Sequence, residues 1–159
     1  MQQPDEPEVD RIIDKCVHFE ALFAEARILE LTRMFYHATA VLEGRDLPPQ
    51  VGHDAISKVF IEASYNYAGI SILLDDIEIV DTVAYGSITN SNTLKNGATE
   101  VHRGVLIWRK FGNDWFVVRD FFFAESDHLS LSDGLRHSLG AIVEGAVELK
   151  MAAKAIPGT

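Results

Sequence analysis

The sequence predicts an α+β domain, with N-terminal helices packed against a curved antiparallel sheet. Three observations predict it. Apolar residues recur at helical spacing through most of the first 64 residues, and after Gly69 the period becomes that of strands. The connections between those strands are too short for the crossovers that a parallel sheet requires. Helices followed by strands, without alternation, define the α+β class.

Residues 1–8 carry two prolines and three acids and read as a disordered start. From Val9 the stripe Val9, Ile12, Ile13, Cys16, Val17, Phe19, Leu22, Phe23 and Ala26 predicts a helix. The stripe then rotates near Ala26–Arg27, and Leu29, Leu31, Met34 and Phe35 continue it in a new phase, so two helices or one bent helix are expected. Thr39–Leu42 reads as a short strand. Pro48 and Pro49 make residues 44–52 a loop, and His53–Ser64 returns to helical spacing. Four strands follow at 70–80, 83–93, 99–111 and 114–124, the last two joined by the two-residue turn Gly112-Asn113. A final helix is expected from about Ser132 to Ala155, with Asp133 and Lys150 placed to suit its dipole. The expected organisation is thus a start at 1–8, one domain over 9–125, and a C-terminal helix within 126–159, packed on that domain or on a dimer partner.

The chain of 159 residues is 47% apolar, enough for one core without staples. A net charge of −10 with 14 scattered basic residues argues against nucleic acid and anionic membranes as partners. No apolar run reaches the roughly 20 residues of a membrane span, and the acidic N-terminus lacks signal-peptide character. A cytoplasmic location is therefore expected. Cys16 is the single cysteine and lies on the apolar stripe, so it reads as a small core residue. The six histidines show no paired ligand spacing, and no metal or cofactor is expected.

If Gly112 and Asn113 form the turn, Phe111 faces Asp114 and the register follows by counting outward. One face then carries Arg103, Val105, Ile107 and Arg109 opposite Phe116, Val118, Asp120 and Phe122. The other carries His102, Gly104, Leu106, Trp108 and Lys110 opposite Trp115, Val117, Arg119, Phe121 and Phe123. Both faces are substantially apolar, so something must cover each. Helices can cover one. A second subunit or the C-terminal helix can cover the other, and a homodimer through the sheet is expected. On the first face Asp120 lies diagonal to Arg103 among apolar neighbours. Desolvation would raise its pKa and Arg103 would lower it, which suits either an ion pair or a proton shuttle.

The order of helical pair, short strand, Pro-rich loop, helix and four long strands resembles the nuclear transport factor 2-like superfamily. The stretches from Tyr36 through Leu-Pro-Pro-Gln-Val-Gly-His-Asp-Ala-Ile56, and Val105-Leu-Ile-Trp-Arg-Lys-Phe-Gly-Asn-Asp-Trp-Phe-Val-Val-Arg-Asp-Phe-Phe-Phe123, carry that resemblance. They are most similar to its SnoaL-like and ketosteroid isomerase branch, over about residues 10–125. The resemblance implies a cone, also called a cystatin-like α+β roll, with a pocket for a small apolar organic ligand at its wide end. It implies acid/base chemistry of the cyclase, isomerase or dehydratase type on a carbonyl compound, with Asp120 as the acid/base and Arg103 or His37 orienting it. Glu43 falls where ketosteroid isomerases hold their base. Their protonated aspartate corresponds to Val105, and no tyrosine stands at His18–Glu20, so that oxyanion hole is missing. Limonene-type epoxide hydrolases would match Asp120 and Glu78, with Asp76 where their arginine belongs. The pocket is expected to be lined by Tyr36, Tyr65, Glu78, Val105, Ile107, Val118 and Phe122. A non-catalytic ligand-binding or dimerisation module of the same fold is the alternative, and an epoxide hydrolase the second.

Overall fold

The computed structural model describes residues 6–124, so the expected C-terminal helix lies outside the described residues. Three helices, α1 (Glu6–Ala24), α2 (Ile28–Phe35) and α3 (Gly52–Asn66), stand with seven strands: β1 (Tyr36–Gly44), β2 (Leu47–Val51), β3 (Tyr67–Leu74), β4 (Glu78–Val80), β5 (Val83–Leu94), β6 (Thr99–Phe111) and β7 (Asp114–Ala124). The strands form one sheet in the order β2-β1-β7-β6-β5-β3, with β4 on β5. No helix among the described residues is long and apolar enough to cross a membrane.

Helix α1 buries Ile12, Cys16, Phe19, Leu22 and Phe23, a narrower stripe than the sequence implies, because Ile13 and Val17 face outward. Its start at Glu6 lies inside the segment expected to be disordered. Glu8 accounts for this: it accepts hydrogen bonds from Lys110 Nζ (2.9 Å) and Trp115 Nε1 (2.5 Å), pinning the first turn to the last hairpin. The rotation of the stripe is a helix stop. Ala26 has φ 57°, Ala26 N–H donates to Phe23 O and Arg27 N–H to Leu22 O, the paired bonds that close a helix through a left-handed residue. The chain then re-enters a helix as α2, which buries Ile28, Leu31, Thr32 and Phe35. Thr32 Oγ1 donates to Ile28 O and accepts from Ser57 Oγ of α3, so this buried polar pair is satisfied.

The Pro-rich segment is a strand, not the expected loop. Pro48 and Pro49 sit in β2 at the edge of the sheet, where missing N–H donors leave no ladder bond unmade. The expected strand 70–80 is two strands, broken at 75–77 where Asp76 Oδ1 accepts from both Ser87 N–H and Ser87 Oγ. All pairings are antiparallel except β1 with β7, which run parallel. Residues 45–113 separate those two strands, so the short-connection argument does not apply to them.

The turn at Gly112-Asn113 pairs Phe111 with Asp114 as expected, and the register holds to Trp108↔Val117. A bulge then intervenes. Ile107 pairs with Arg119, leaving Val118 as the extra residue, so every β7 side chain beyond it changes face. Trp108 and Leu106, both buried, lie under the helices, and Asp120 joins them there. Arg103, Val105 and Ile107 stay on the opposite face, away from the helices. The expected diagonal of Arg103 and Asp120 across one face is therefore not formed. Gly104 sits where β7 crosses closely: a Cβ there would lie 2.6 Å from Phe121 O. Under the helices the core is aromatic, with Phe19, Phe35, Phe60 and Trp108 in tilted or edge contacts at 4.8–5.4 Å between centroids.

Candidate functional site

Between the helices and the concave face of the sheet lies a cavity of about 200 Å³. A cavity of roughly 150 Å³ lined by apolar groups already admits benzene, so this one has room for a small ring compound. Its wall is built by Phe19 of α1, Phe35 of α2, Val59, Phe60 and Ala63 of α3, and Leu42, Ile70, Ile72, Ile88, Leu106 and Phe122 of the sheet. Six polar side chains interrupt the wall: Tyr36, Asp120, Tyr67, Asn90, Asn92 and His102.

Tyr36 and Asp120 meet because α2 runs directly into β1, which places Tyr36 at the strand's first position, and because the bulge turns Asp120 inward. Tyr36 Oη donates to Asp120 Oδ2 at 2.6 Å, both groups buried. His53 Nε2 donates to Tyr36 O at 2.8 Å and holds the junction. Burial pushes the Asp120 carboxyl up to about 6 from 3.8, against the lowering effect of the Tyr36 bond. Burial, with the Asp120 charge and hydrogen bond behind it, drives the Tyr36 phenol well above its ordinary value, so it stays a donor. Among the described residues Tyr36 is the hydrogen-bond partner of Asp120, and no cation stands beside the pair.

The second polar group lies farther along the sheet. Tyr67 Oη donates to Glu100 Oε2 at 2.5 Å, and burial, then Glu100, raises its phenol to about 12. His102 Nε2 lies 3.5 Å from the same Glu100 oxygen. Asn90 and His102 face each other across β5 and β6.

Of the expected lining residues, Tyr36 and Phe122 line the cavity; Val105, Ile107, Val118, Tyr65 and Glu78 do not. Val105 and Ile107 point to the outer face, Val118 is the bulge residue, Tyr65 is exposed, and Glu78 accepts from Tyr85 Oη on the outside. Of the candidate catalytic residues, Asp120 alone is in the cavity wall. Arg103 is on the outer face. Glu43 lies 3.8 Å from Arg119, outside the cavity. His37 stacks on Phe111 at 4.2 Å, also outside. Asp76 and Glu78, the partners an epoxide hydrolase arrangement would need, are tied to β5 and away from the cavity. Among the described residues no cluster of His, Cys, Asp and Glu could hold a metal. Cys16 is buried, and burial pushes its thiol up to about 12.

Asn90, Asn92 and His102 stand in the cavity wall although the sequence expectation does not include them there. A signal was present. Asn90-x-Asn92 puts two residues of low strand propensity on the face that also carries Ala84 and Ile88, and polar side chains in phase with a buried face call for a reason.

A curved, unclosed mixed sheet around three helices, with a polar-spotted apolar cavity between, defines the nuclear transport factor 2-like fold. Solved structures bear this out. A ketosteroid isomerase-like protein from Erwinia carotovora atroseptica is 18% identical, covering 74% of this chain and 95% of its own, with a TM-score of 0.60. A candidate scytalone dehydratase from Novosphingobium aromaticivorans is 14% identical, covering 74% and 83%, with a TM-score of 0.60. A nuclear transport factor 2-like protein with a cystatin-like fold, also from Novosphingobium aromaticivorans, is 13% identical over 71% and 79%, with a TM-score of 0.59. Identities this low establish the fold alone. No family model and no curated protein matches the sequence.

The pair makes stability depend on pH. Between about pH 4 and pH 6 the folded Asp120 keeps a proton that the unfolded chain has released, so its contribution declines as pH rises through that window. A shift from 3.8 to about 6 corresponds to roughly 3 kcal/mol, fully lost above pH 6. Asp120→Asn keeps the shape and the Tyr36 bond without the charge. Urea unfolding is expected to find the variant's advantage near zero at pH 4 and growing to about 2–3 kcal/mol by pH 7. A pH-independent difference would contradict a buried, charge-averse Asp120.

Proposed function

We propose that the chain is a small-molecule enzyme that moves protons on a mostly apolar carbonyl compound, with Asp120 as the acid/base and Tyr36 as its partner. One observation carries this reading: a carboxyl held by a single tyrosine in an apolar cavity, its pKa raised to about 6. Such a group is ionised at neutral pH yet basic enough to take a proton from carbon and return it. In the proposed step Asp120 accepts the proton α to the carbonyl, and the electron pair of the C–H bond moves into an enolate. Once neutral, Asp120 no longer holds the Tyr36 phenol as strongly, and that O–H can turn to the enolate oxygen. In a β,γ-unsaturated substrate, returning the proton to the γ-carbon of the conjugated enolate shifts the double bond and completes an isomerisation. In a β-hydroxy substrate, returning it to the hydroxyl lets the enolate pair form the Cα=Cβ bond as the Cβ–O bond breaks and water leaves. The likeness to a ketosteroid isomerase-like protein and to a candidate scytalone dehydratase supports this chemistry. The test is exchange of the α-hydrogens of 2-tetralone in heavy water, followed by NMR, for the wild type against Asp120→Asn.

A non-catalytic binding module is the second reading, favoured if exchange is absent while ligands bind. The epoxide hydrolase reading has less support, because Asp76 and Glu78 stand away from Asp120. We further propose that the outer face of the sheet forms a homodimer, as Val105, Tyr85 and Phe121 are exposed there together. Light scattering at micromolar concentration is expected to give twice the chain mass of 17.7 kDa, and Val105→Glu with Phe121→Glu to give one. A wild-type monomer would refute the dimer.

A further inference from the structure

We infer that Asn90, Asn92 and His102 form a second subsite, which reads a hydroxyl or other hydrogen-bond donor on the ligand. The inference rests on the cavity being a small-molecule site, and it names what that molecule must carry. Asn90, Asn92 and His102 line the cavity. Asn90 Oδ1, Asn92 Oδ1 and both ring nitrogens of His102 are buried without a hydrogen-bond partner among the described residues, His102 Nε2 standing 3.5 Å from Glu100 Oε2. Asn92 is only 7% exposed. Native proteins rarely leave such groups unpaired, and each one that persists calls for a partner or a role.

The polarity of the subsite is set from behind. Glu100 makes Tyr67 Oη a donor, so the Tyr67 oxygen accepts from the Asn92 amide, whose hydrogen bond lowers the phenol's pKa as a donor's must. That leaves Asn92 Oδ1 as the atom still seeking a partner, and it can only accept. Asn90 repeats the acceptor on the same strand face, about 7 Å along β5. His102, opposite Asn90, adapts to either role through its tautomer. The subsite lies along β6 from the Leu106↔Asp120 rung, at His102, about 13 Å away by strand rise. A ligand engaging both ends therefore carries its donor remote from the carbon that Asp120 deprotonates.

The probes are 2-naphthol and 2-methoxynaphthalene, which differ chiefly in the O–H donor. Calorimetric titration of the full chain is expected to show 2-naphthol binding at least about tenfold tighter, since a site built around a hydroxyl penalises an analogue without one. Asn90→Leu and Asn92→Leu are expected to collapse that ratio toward one while 2-methoxynaphthalene still binds. Asp120→Asn is expected to preserve it. A ratio near one in the wild type, or no binding of either probe, overturns the subsite. So does a ratio that survives both leucine variants but is lost in Asp120→Asn; the hydroxyl would then be read by Asp120, and the proton-transfer reading would stand. Loss of the subsite and loss of the chemistry are thus told apart. Asn90→Leu is also expected to hold or raise Tm, because it replaces an unpaired polar group among apolar walls. A fall of more than about 5 °C would mark Asn90 as structural and overturn its part in the subsite.

Discussion

In Asp120→Asn, enzyme-promoted exchange of the 2-tetralone α-hydrogens is expected to fall by about 10²–10⁴-fold, to the rate in buffer. The amide matches the carboxylate in shape and can still accept from Tyr36 Oη, so a loss of that size would report proton transfer and not a collapsed cavity. The pH profile supplies the second half of the test. Wild-type exchange is expected to rise with pH, inflect near 6 and level off, because only the ionised carboxylate accepts a proton and burial has raised its pKa to about 6. An Asp120→Asn protein that retains the wild-type rate would dismiss Asp120 as the base. An inflection near the ordinary aspartate value would show that the acid at work is not the buried one.

Deleting Val118 is expected to straighten β7 without moving Asp120 to the other face. Without the extra residue the ladder runs unbroken through Trp108↔Val117, Ile107↔Arg119 and Leu106↔Asp120. Arg119 then stays outside, 3.8 Å from Glu43, and Asp120 stays under the helices with Tyr36 Oη as its donor. The deletion removes one half-buried side chain and the local bend and twist that the bulge adds to the strand. It is expected to lower the urea midpoint while the folded protein keeps its exchange activity, and Val118→Ala, which keeps the bulge, is expected to cost less. A deletion variant that folds with wild-type stability but has lost exchange would mean that Asp120 has changed face and that Val118 is not the extra residue of the pairing.

Much of this architecture was legible because it depends on local pattern. The apolar stripes of α1 and α3, the break at Ala26–Arg27, the change of period after Gly69 and the Gly112-Asn113 turn each follow from neighbours within a few residues. The resemblance to the nuclear transport factor 2-like superfamily rested on the same order of elements. The site was less legible. Asp120 lines the apolar hollow, whereas the register counted from the turn places it on the face of Arg103, Val105 and Ile107. A bulge has no strong marker in a run such as Trp115-Phe-Val-Val-Arg-Asp, where either alternation buries apolar side chains.

By itself the sequence determined the helices, the strands and the final turn, since hydrophobic period and turn chemistry act over short range. Only the tertiary structure decided which face of β6 the helices cover, and that Tyr36, from the other end of the chain, meets Asp120. It also decided that Asn90, Asn92 and His102 share one wall. Those outcomes come from pairing between distant strands, where inserting one residue reverses every side chain beyond it.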